Sequence, residues 1–124
     1  MLFALLLISG ISSSQASVMI SYEPVQASIN EHFVINLPAS QTIADVYVVD
    51  ISNLGFTTEE QLQAFCKSAT DQIVIFRGNF AEHKLFVSPQ PKMIEGVWSV
   101  VDWNNYFENR AMKLEALFKT ILAQ

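Results

Sequence analysis

The sequence predicts an α+β fold, made as one small domain behind an N-terminal leader. Two apolar runs rich in β-branched residues, 46–51 and 73–76, flank a stretch with helical apolar spacing. A longer stretch with the same helical spacing ends the chain. Of the 124 residues, 51% are apolar and only 15% are charged, a composition that favours one folded core and argues against disorder.

The first sixteen residues are expected to be a signal peptide. Residues 1–8 are almost wholly apolar, and Ser14-Gln15-Ala16 matches a small-x-small cleavage site, which places the mature start at Ser17. No Lys or Arg precedes the apolar run, and the alternative is a buried strand or helix. The run is shorter than the roughly 20 residues that span a bilayer. We therefore expect a periplasmic or secreted protein without an integral membrane span in the mature chain.

Residues 17–44 form an N-terminal segment of short strands and loops. We expect one strand over 17–22, ended by Pro24, and another over 32–37, ended by Pro38.

The domain proper is expected over residues 45–124 and begins with a central strand over 46–51. After a turn over 52–55, Thr57 is predicted to cap a helix, with Glu60 completing a capping box. Apolar residues then recur at helical spacing, which gives the helix one buried stripe: Leu62, Phe65, Cys66 and Ala69. The lone cysteine, Cys66, lies in that stripe, so we expect it to be buried and inert.

A second strand is expected over 73–76, followed by a hairpin loop over 77–82 and a return strand over 83–88. We also expect a short strand over 96–101. Asp102 is then predicted to cap a long helix whose stripe comprises Trp103, Phe107, Ala111, Leu114, Phe118 and Ile121. This helix would be about 30 Å long, so its end is expected to project beyond the sheet or to dock elsewhere.

Strand, helix, strand, strand and helix in this order predict a ferredoxin-like βαββα plait with a long C-terminal helix. An N-terminal strand such as 33–37 is expected to complete its sheet. By topology and spacing, residues 45–90 and the last helix resemble the heavy-metal-associated domain family.

That family carries a Gly-Met-Thr-Cys-x-x-Cys loop, whose two thiolates bind a soft metal ion. The corresponding loop here keeps Gly55, an apolar Phe56 and Thr57, but Thr58 and Gln61 stand in place of the cysteines. Soft metals need thiolate ligands, so the resemblance implies the fold and not the metal binding. We keep Gly55, Phe56, Thr57 and Thr58 as a candidate loop site.

Few residues offer catalytic or ligand chemistry, so we expect no enzyme, no cofactor and no metal. His32 and His83 have no further ligands at metal spacing. Asp50, near the end of the central strand, has no identifiable acid–base partner. The seven Lys and Arg side chains are scattered on a chain of net charge −5, which argues against nucleic-acid binding.

An aromatic cluster of Trp98, Trp103 and Tyr106 is the remaining candidate site. Such residues favour protein interfaces, but they also pack helices onto sheets. We expect a non-enzymatic exported or envelope protein that acts as an interaction or assembly module, binding another protein or itself. The alternative is a small-ligand or metal-binding module, with Glu59, Glu60 or His83 replacing the thiolates.

Overall fold

A computed structural model describes residues 23–124 of the chain; the predicted signal peptide and the strand expected over 17–22 lie outside the described residues. The elements in chain order are strands β1 (Val25–Gln26), β2 (Ser28–Ile29), β3 (Ile35–Asn36) and β4 (Tyr47–Asp50), helix α1 (Glu59–Ala69), strands β5 (Val74–Asn79) and β6 (Lys84–Pro89), a 3-10 turn (Pro91–Met93), and helix α2 (Val100–Leu122).

The main sheet has four strands in the order β1-β4-β6-β5. Strand β6 runs antiparallel to both β4 and β5, with Tyr47 opposite Val87 and Phe76 also opposite Val87. Strands β4 and β5 are therefore parallel and joined through α1, with β6 between them. This is the split βαβ unit of a ferredoxin-like plait, so the predicted α+β fold is confirmed.

The strand that completes this sheet is not the one expected. Residues 33–37 were predicted to join it, but β1 takes the edge position and runs parallel to β4. Strand β3 instead pairs with β2 in a separate two-stranded sheet. The cause is a tight turn at Asn30–Phe33, in which Phe33 has a φ of 62° and a buried side chain. This turn directs Phe33, Ile35 and Leu37 into the core.

Phe33, Ile35 and Leu37 therefore share one hydrophobic core with the rest of the described chain. The side-chain amide of Asn104 reinforces the connection. Its Oδ1 accepts a hydrogen bond from Leu37 N at 2.8 Å, and its Nδ2 donates to Leu37 O at 3.1 Å. One α2 side chain thus pairs with this backbone as a neighbouring strand would.

Both predicted helical stripes are buried, but the helices begin at other residues than expected. Thr58, not Thr57, caps α1, and Ser99, not Asp102, caps α2. Asp102 is the third residue of α2, and it completes a capping box with Ser99. Because this cap starts α2 at Val100, the strand expected over 96–101 does not form.

The end of α2 does not project from the domain. Phe118 and Ile121 are buried, because the Phe118 ring packs against Phe33 and Phe56, with ring centroids 4.9 Å and 4.8 Å apart. The long helix is covered by α1 and by the N-terminal hairpin formed by β2 and β3. The strand pattern of the sequence alone could not place either of them there.

The hairpin between β5 and β6 is tighter than expected, since β5 continues to Asn79 and the turn occupies residues 80–83. The inner sheet face buries Tyr47, Val49, Leu85 and Val87. On the outer face, the Arg77 guanidinium lies 5.9 Å from the centre of the Phe86 ring.

Candidate functional site

The predicted loop site, Gly55–Thr58, positions the start of α1. Gly55 has a φ of 100°, a conformation that favours glycine. Phe56 is half-buried against Phe65 and Phe118. The loop therefore anchors a ring in the core before the helix begins.

The polar groups of this loop bond to one another. Thr57 donates to Gln61 Oε1 from its backbone N at 2.8 Å and from Oγ1 at 2.9 Å. Gln61 N donates to Thr58 Oγ1 at 3.1 Å. The two side chains that stand in place of the family's cysteines thus cap α1, and such a cap satisfies backbone groups that the helix itself leaves unpaired.

A groove of about 370 Å³ lies beside this loop, between the start of α1 and the end of α2. Its lining includes Thr58, Glu60 and Gln61 from the α1 side and Ile121 from α2. Glu60 gives it a carboxylate. Within residues 23–124, no three His, Cys, Asp or Glu side chains converge closely enough to hold a metal ion.

The three aromatic residues of the second predicted site touch one another but do not form one exposed surface. Trp103 is buried, with 1% of its surface accessible, whereas Trp98 and Tyr106 are half-buried. The rings of Trp98 and Trp103 meet edge to face at 4.8 Å. Trp98 precedes the Ser99 cap and Trp103 is the fourth residue of α2, so the pair is a hydrophobic staple that fixes how the chain enters the helix.

Tyr106 belongs to a polar cluster that the sequence did not indicate, which we call the Asp71 cluster (Asp71, Tyr106 and Arg110). The Tyr106 hydroxyl donates to Asp71 Oδ2, and Arg110 Nη1 donates to the same oxygen at 2.9 Å. Arg110 Nη2 also donates to Ala69 O at 3.1 Å. The cluster therefore joins α2 to the end of α1, across a sequence separation that local spacing does not reveal.

The protonation of this cluster is set by its contacts. Burial raises the pKa of Asp71, but hydrogen bonds from Tyr106 and from the Val74 and Ile73 amides, with the charge of Arg110, outweigh it and leave that pKa below its ordinary value. Burial and the bond to Asp71 raise the pKa of Tyr106 to about 12. Near neutral pH the carboxylate is charged and the phenol neutral, which suits a fixed structural contact.

Beside the staple lies the most exposed apolar stretch of the described chain, which we call the 93–101 surface: Met93, Val97, Val101 and the half-buried Trp98. Met93 is 54% exposed, Val97 96% and Val101 67%. The aromatic residues here are evident from the sequence pattern, but these aliphatic ones are not, because their exposure depends on where α2 begins.

Of the remaining candidates, Asp50 and His83 lie near each other, since Ile51 N donates to His83 O at 2.9 Å and Asp50 pairs with Lys84. Asp50 is exposed and accepts hydrogen bonds from Ser52 N and Oγ at 2.8 Å and 2.6 Å, which lower its pKa. Cys66 is buried, as expected, and burial raises the pKa of its thiol to about 12. His83 lies in the β5–β6 turn, and His32 in the turn between β2 and β3. Asp50 thus serves a local turn, and the Cys66 thiol stays protonated.

Comparison of the chain with protein-family models, with curated proteins and with solved structures gives no match. The resemblance to the heavy-metal-associated family therefore stays a prediction. Neither helix within residues 23–124 is long and apolar enough to cross a membrane.

Proposed function

We propose that this chain is a non-enzymatic protein-binding module, exported to the periplasm or secreted, whose partner binds the 93–101 surface. The exposure of Met93, Val97 and Val101 within nine consecutive residues is the observation that carries the proposal. Clustered exposed apolar side chains mark interaction sites more often than isolated ones do.

The surface is also held in place. Trp98 packs edge to face on the buried Trp103. Ser99 Oγ accepts from Asp102 N at 3.2 Å, while Ser99 N donates to Asp102 Oδ2 at 2.8 Å. A surface ordered before binding loses less conformational entropy when it binds, so these contacts support a binding role.

The chemistry of the surface indicates the kind of partner. Its apolar side chains are aliphatic and aromatic, and the charged residues Lys92, Glu95 and Asp102 are exposed at neighbouring positions of the chain. An apolar centre with a polar rim is the usual composition of a protein interface. We therefore expect an apolar patch on another protein to bind here.

Site-specific cross-linking tests this proposal. A photoreactive amino acid at position 97 is expected to cross-link a partner in an envelope extract, whereas the same group at Met112, exposed further along α2, is not. Met93→Asp with Val101→Asp should abolish the cross-link from position 97, and Met112→Asp should not. Light scattering of the purified chain shows whether the bound protein is a second copy of the chain or a different protein. Equal cross-linking at both positions, or none, would contradict the proposal.

The groove beside Thr58 favours a second candidate function, the binding of a small ligand. Glu60 at its wall suits a cationic group, because a carboxylate only accepts hydrogen bonds. Calorimetric titration with zinc, copper and nickel tests the metal version: heat of binding that Glu60→Gln abolishes would support it. The absence of both heat and a shift in melting temperature would remove it.

A further inference from the structure

Strand β5 lies at the edge of the main sheet, where backbone N–H and C=O groups could pair with a strand from another molecule. Residues Ile75, Arg77 and Asn79 alternate along β5 with Val74, Phe76 and Gly78. The backbone N–H and C=O groups of Val74, Phe76 and Gly78 point away from β6. The availability of those groups decides whether a second copy of this chain can add a strand here.

The α1–β5 connection covers the first of these residues. Val74 N donates to Asp71 Oδ1 at 2.8 Å, and Asp71 N donates to Val74 O at 3.0 Å. Asp71 thus pairs with Val74 through its backbone and its side chain.

Side chains of α1 and its C-cap cover the next two residues. Phe76 N donates to Thr70 Oγ1 at 2.9 Å, and that hydroxyl lies 3.4 Å from Phe76 O. Gln63 Nε2 donates to Gly78 O at 3.2 Å. Five outward backbone groups of β5 are therefore bonded within the same molecule.

Gly78 allows α1 to come this close. A Cβ at this position would lie 2.6 Å from Leu62 Cδ2, so only glycine lets the helix pack directly over the strand. Leu62 is fully buried there, and the same close packing brings Gln63 within reach of the strand.

From these contacts we infer that α1 and its C-terminal turn close the β5 edge against strand addition by a second copy of the chain. The closure is a contact within one molecule that competes with pairing between molecules. It leaves side-chain surfaces, rather than this strand edge, for association. The inference does not depend on the proposed function, since it concerns a different face of the domain.

Hydrogen exchange on the full wild-type chain is the first test. Ile75 and Arg77 amides pair with β6, whereas the Phe76 amide depends on Thr70. We expect the Phe76 amide to be protected to the same order as its two neighbours. Exchange of Phe76 at the rate of a free amide would overturn the inference without any variant having to fold.

Opening the edge is the second test. Thr70→Val combined with Gln63→Ala removes the bonds to Phe76 and Gly78, and the control Thr120→Val with Gln41→Ala makes the same changes elsewhere. By light scattering, we expect the first variant to reach at least twice the monomer mass at concentrations where the control stays monomeric. Its Phe76 amide should exchange faster in the monomer and regain protection in the dimer.

Leu114→Val, which weakens the core away from β5, separates edge opening from general destabilisation and should remain monomeric. Gln63→Ala alone changes one exposed side chain and gives a milder version of the same test. A double variant that stays monomeric, with Phe76 exchange unchanged, would overturn the inference. The same would follow if Leu114→Val dimerised equally.

Discussion

Tyr106 shows how one hydroxyl can join two distant parts of this chain. It donates to Asp71, which in turn accepts hydrogen bonds from the Ile73 and Val74 amides. Tyr106→Phe keeps the ring and removes this bond, and we expect a loss of about 1–2 kcal/mol in the free energy of unfolding. Urea denaturation at pH 7 measures it. Thr120→Val, which removes an exposed hydroxyl elsewhere on α2, is the control, and an equal loss in both would contradict this role.

Acid should weaken the same cluster. The pKa of Asp71 is lower in the folded chain than its ordinary value, so its contribution to stability is complete above the ordinary pKa and is lost as the pH falls through the folded pKa. We expect Asp71→Asn to reduce the dependence of unfolding free energy on pH below pH 4. An unchanged dependence would show that protonation of Asp71 does not affect the free energy of unfolding.

Alkaline pH should destabilise the fold through the buried thiol of Cys66 and the half-buried phenol of Tyr106. The pKa values of Cys66 and Tyr106 rise from 9.0 and 10.0 to about 12 in the folded chain. Between these limits the unfolded chain binds fewer protons, so stability falls as the pH rises. Urea titrations at pH 8 and 11 should show this fall, and Cys66→Ala should make it shallower. An identical slope in wild type and variant would contradict the assignment.

The packing of α1 on β5 depends on Gly78. We expect Gly78→Ala to cost about 1–3 kcal/mol, the usual range for overpacking, because the new methyl group would meet Leu62. Leu62→Ala should cost less in the Gly78→Ala background than alone, a coupling that a double-mutant cycle measures. Gly78 does not have a positive φ, so this cost reports the contact with Leu62 rather than backbone strain. Purely additive costs would contradict direct contact.

The start of α2 depends on the Trp98 staple. We expect Trp98→Ala to lower the melting temperature, since it removes the ring packed on Trp103. Val97→Ala should change stability by no more than about 0.5 kcal/mol, because its side chain is exposed. Thermal denaturation compares them, and a larger effect of Val97→Ala would show that Val97 serves the fold rather than a partner.

The sequence predicted those elements whose apolar spacing is regular. The stripes Leu62–Ala69 and Trp103–Ile121 are buried as expected. The order of strands β4, β5 and β6 around α1 also agrees with the prediction. These features follow from local periodicity, which one stretch of chain carries by itself.

Elements that depend on distant contacts were predicted wrongly. Strand β1 contains only two residues and is defined by pairing with β4. Phe33 adopts a positive φ although it is not glycine, and its ring is held by Phe65 and Phe118. The Asp71 cluster and the 93–101 surface likewise arise from tertiary placement, so no short pattern could indicate them.

The described chain has one core, to which both helices and strands β3 to β6 contribute, from Phe33 to Ile121. We therefore expect one cooperative unfolding transition, as is usual for single domains of this size. Tryptophan fluorescence reports on Trp98 and Trp103 at the start of α2, and far-ultraviolet circular dichroism on the whole backbone. The two denaturation curves should coincide, and separate midpoints would show that α2 and the sheet unfold independently.

Backbone NMR of the full chain tests most directly whether helices and sheet assemble as described. Cross-strand proton contacts should link Tyr47 with Val87 and Ile75 with Ser88, and parallel contacts should link β1 with β4. Contacts of Phe33 with both Phe65 and Phe118 should place the N-terminal hairpin against the two helices. An all-helical pattern of contacts, or pairing of residues 33–37 with β4, would contradict the account.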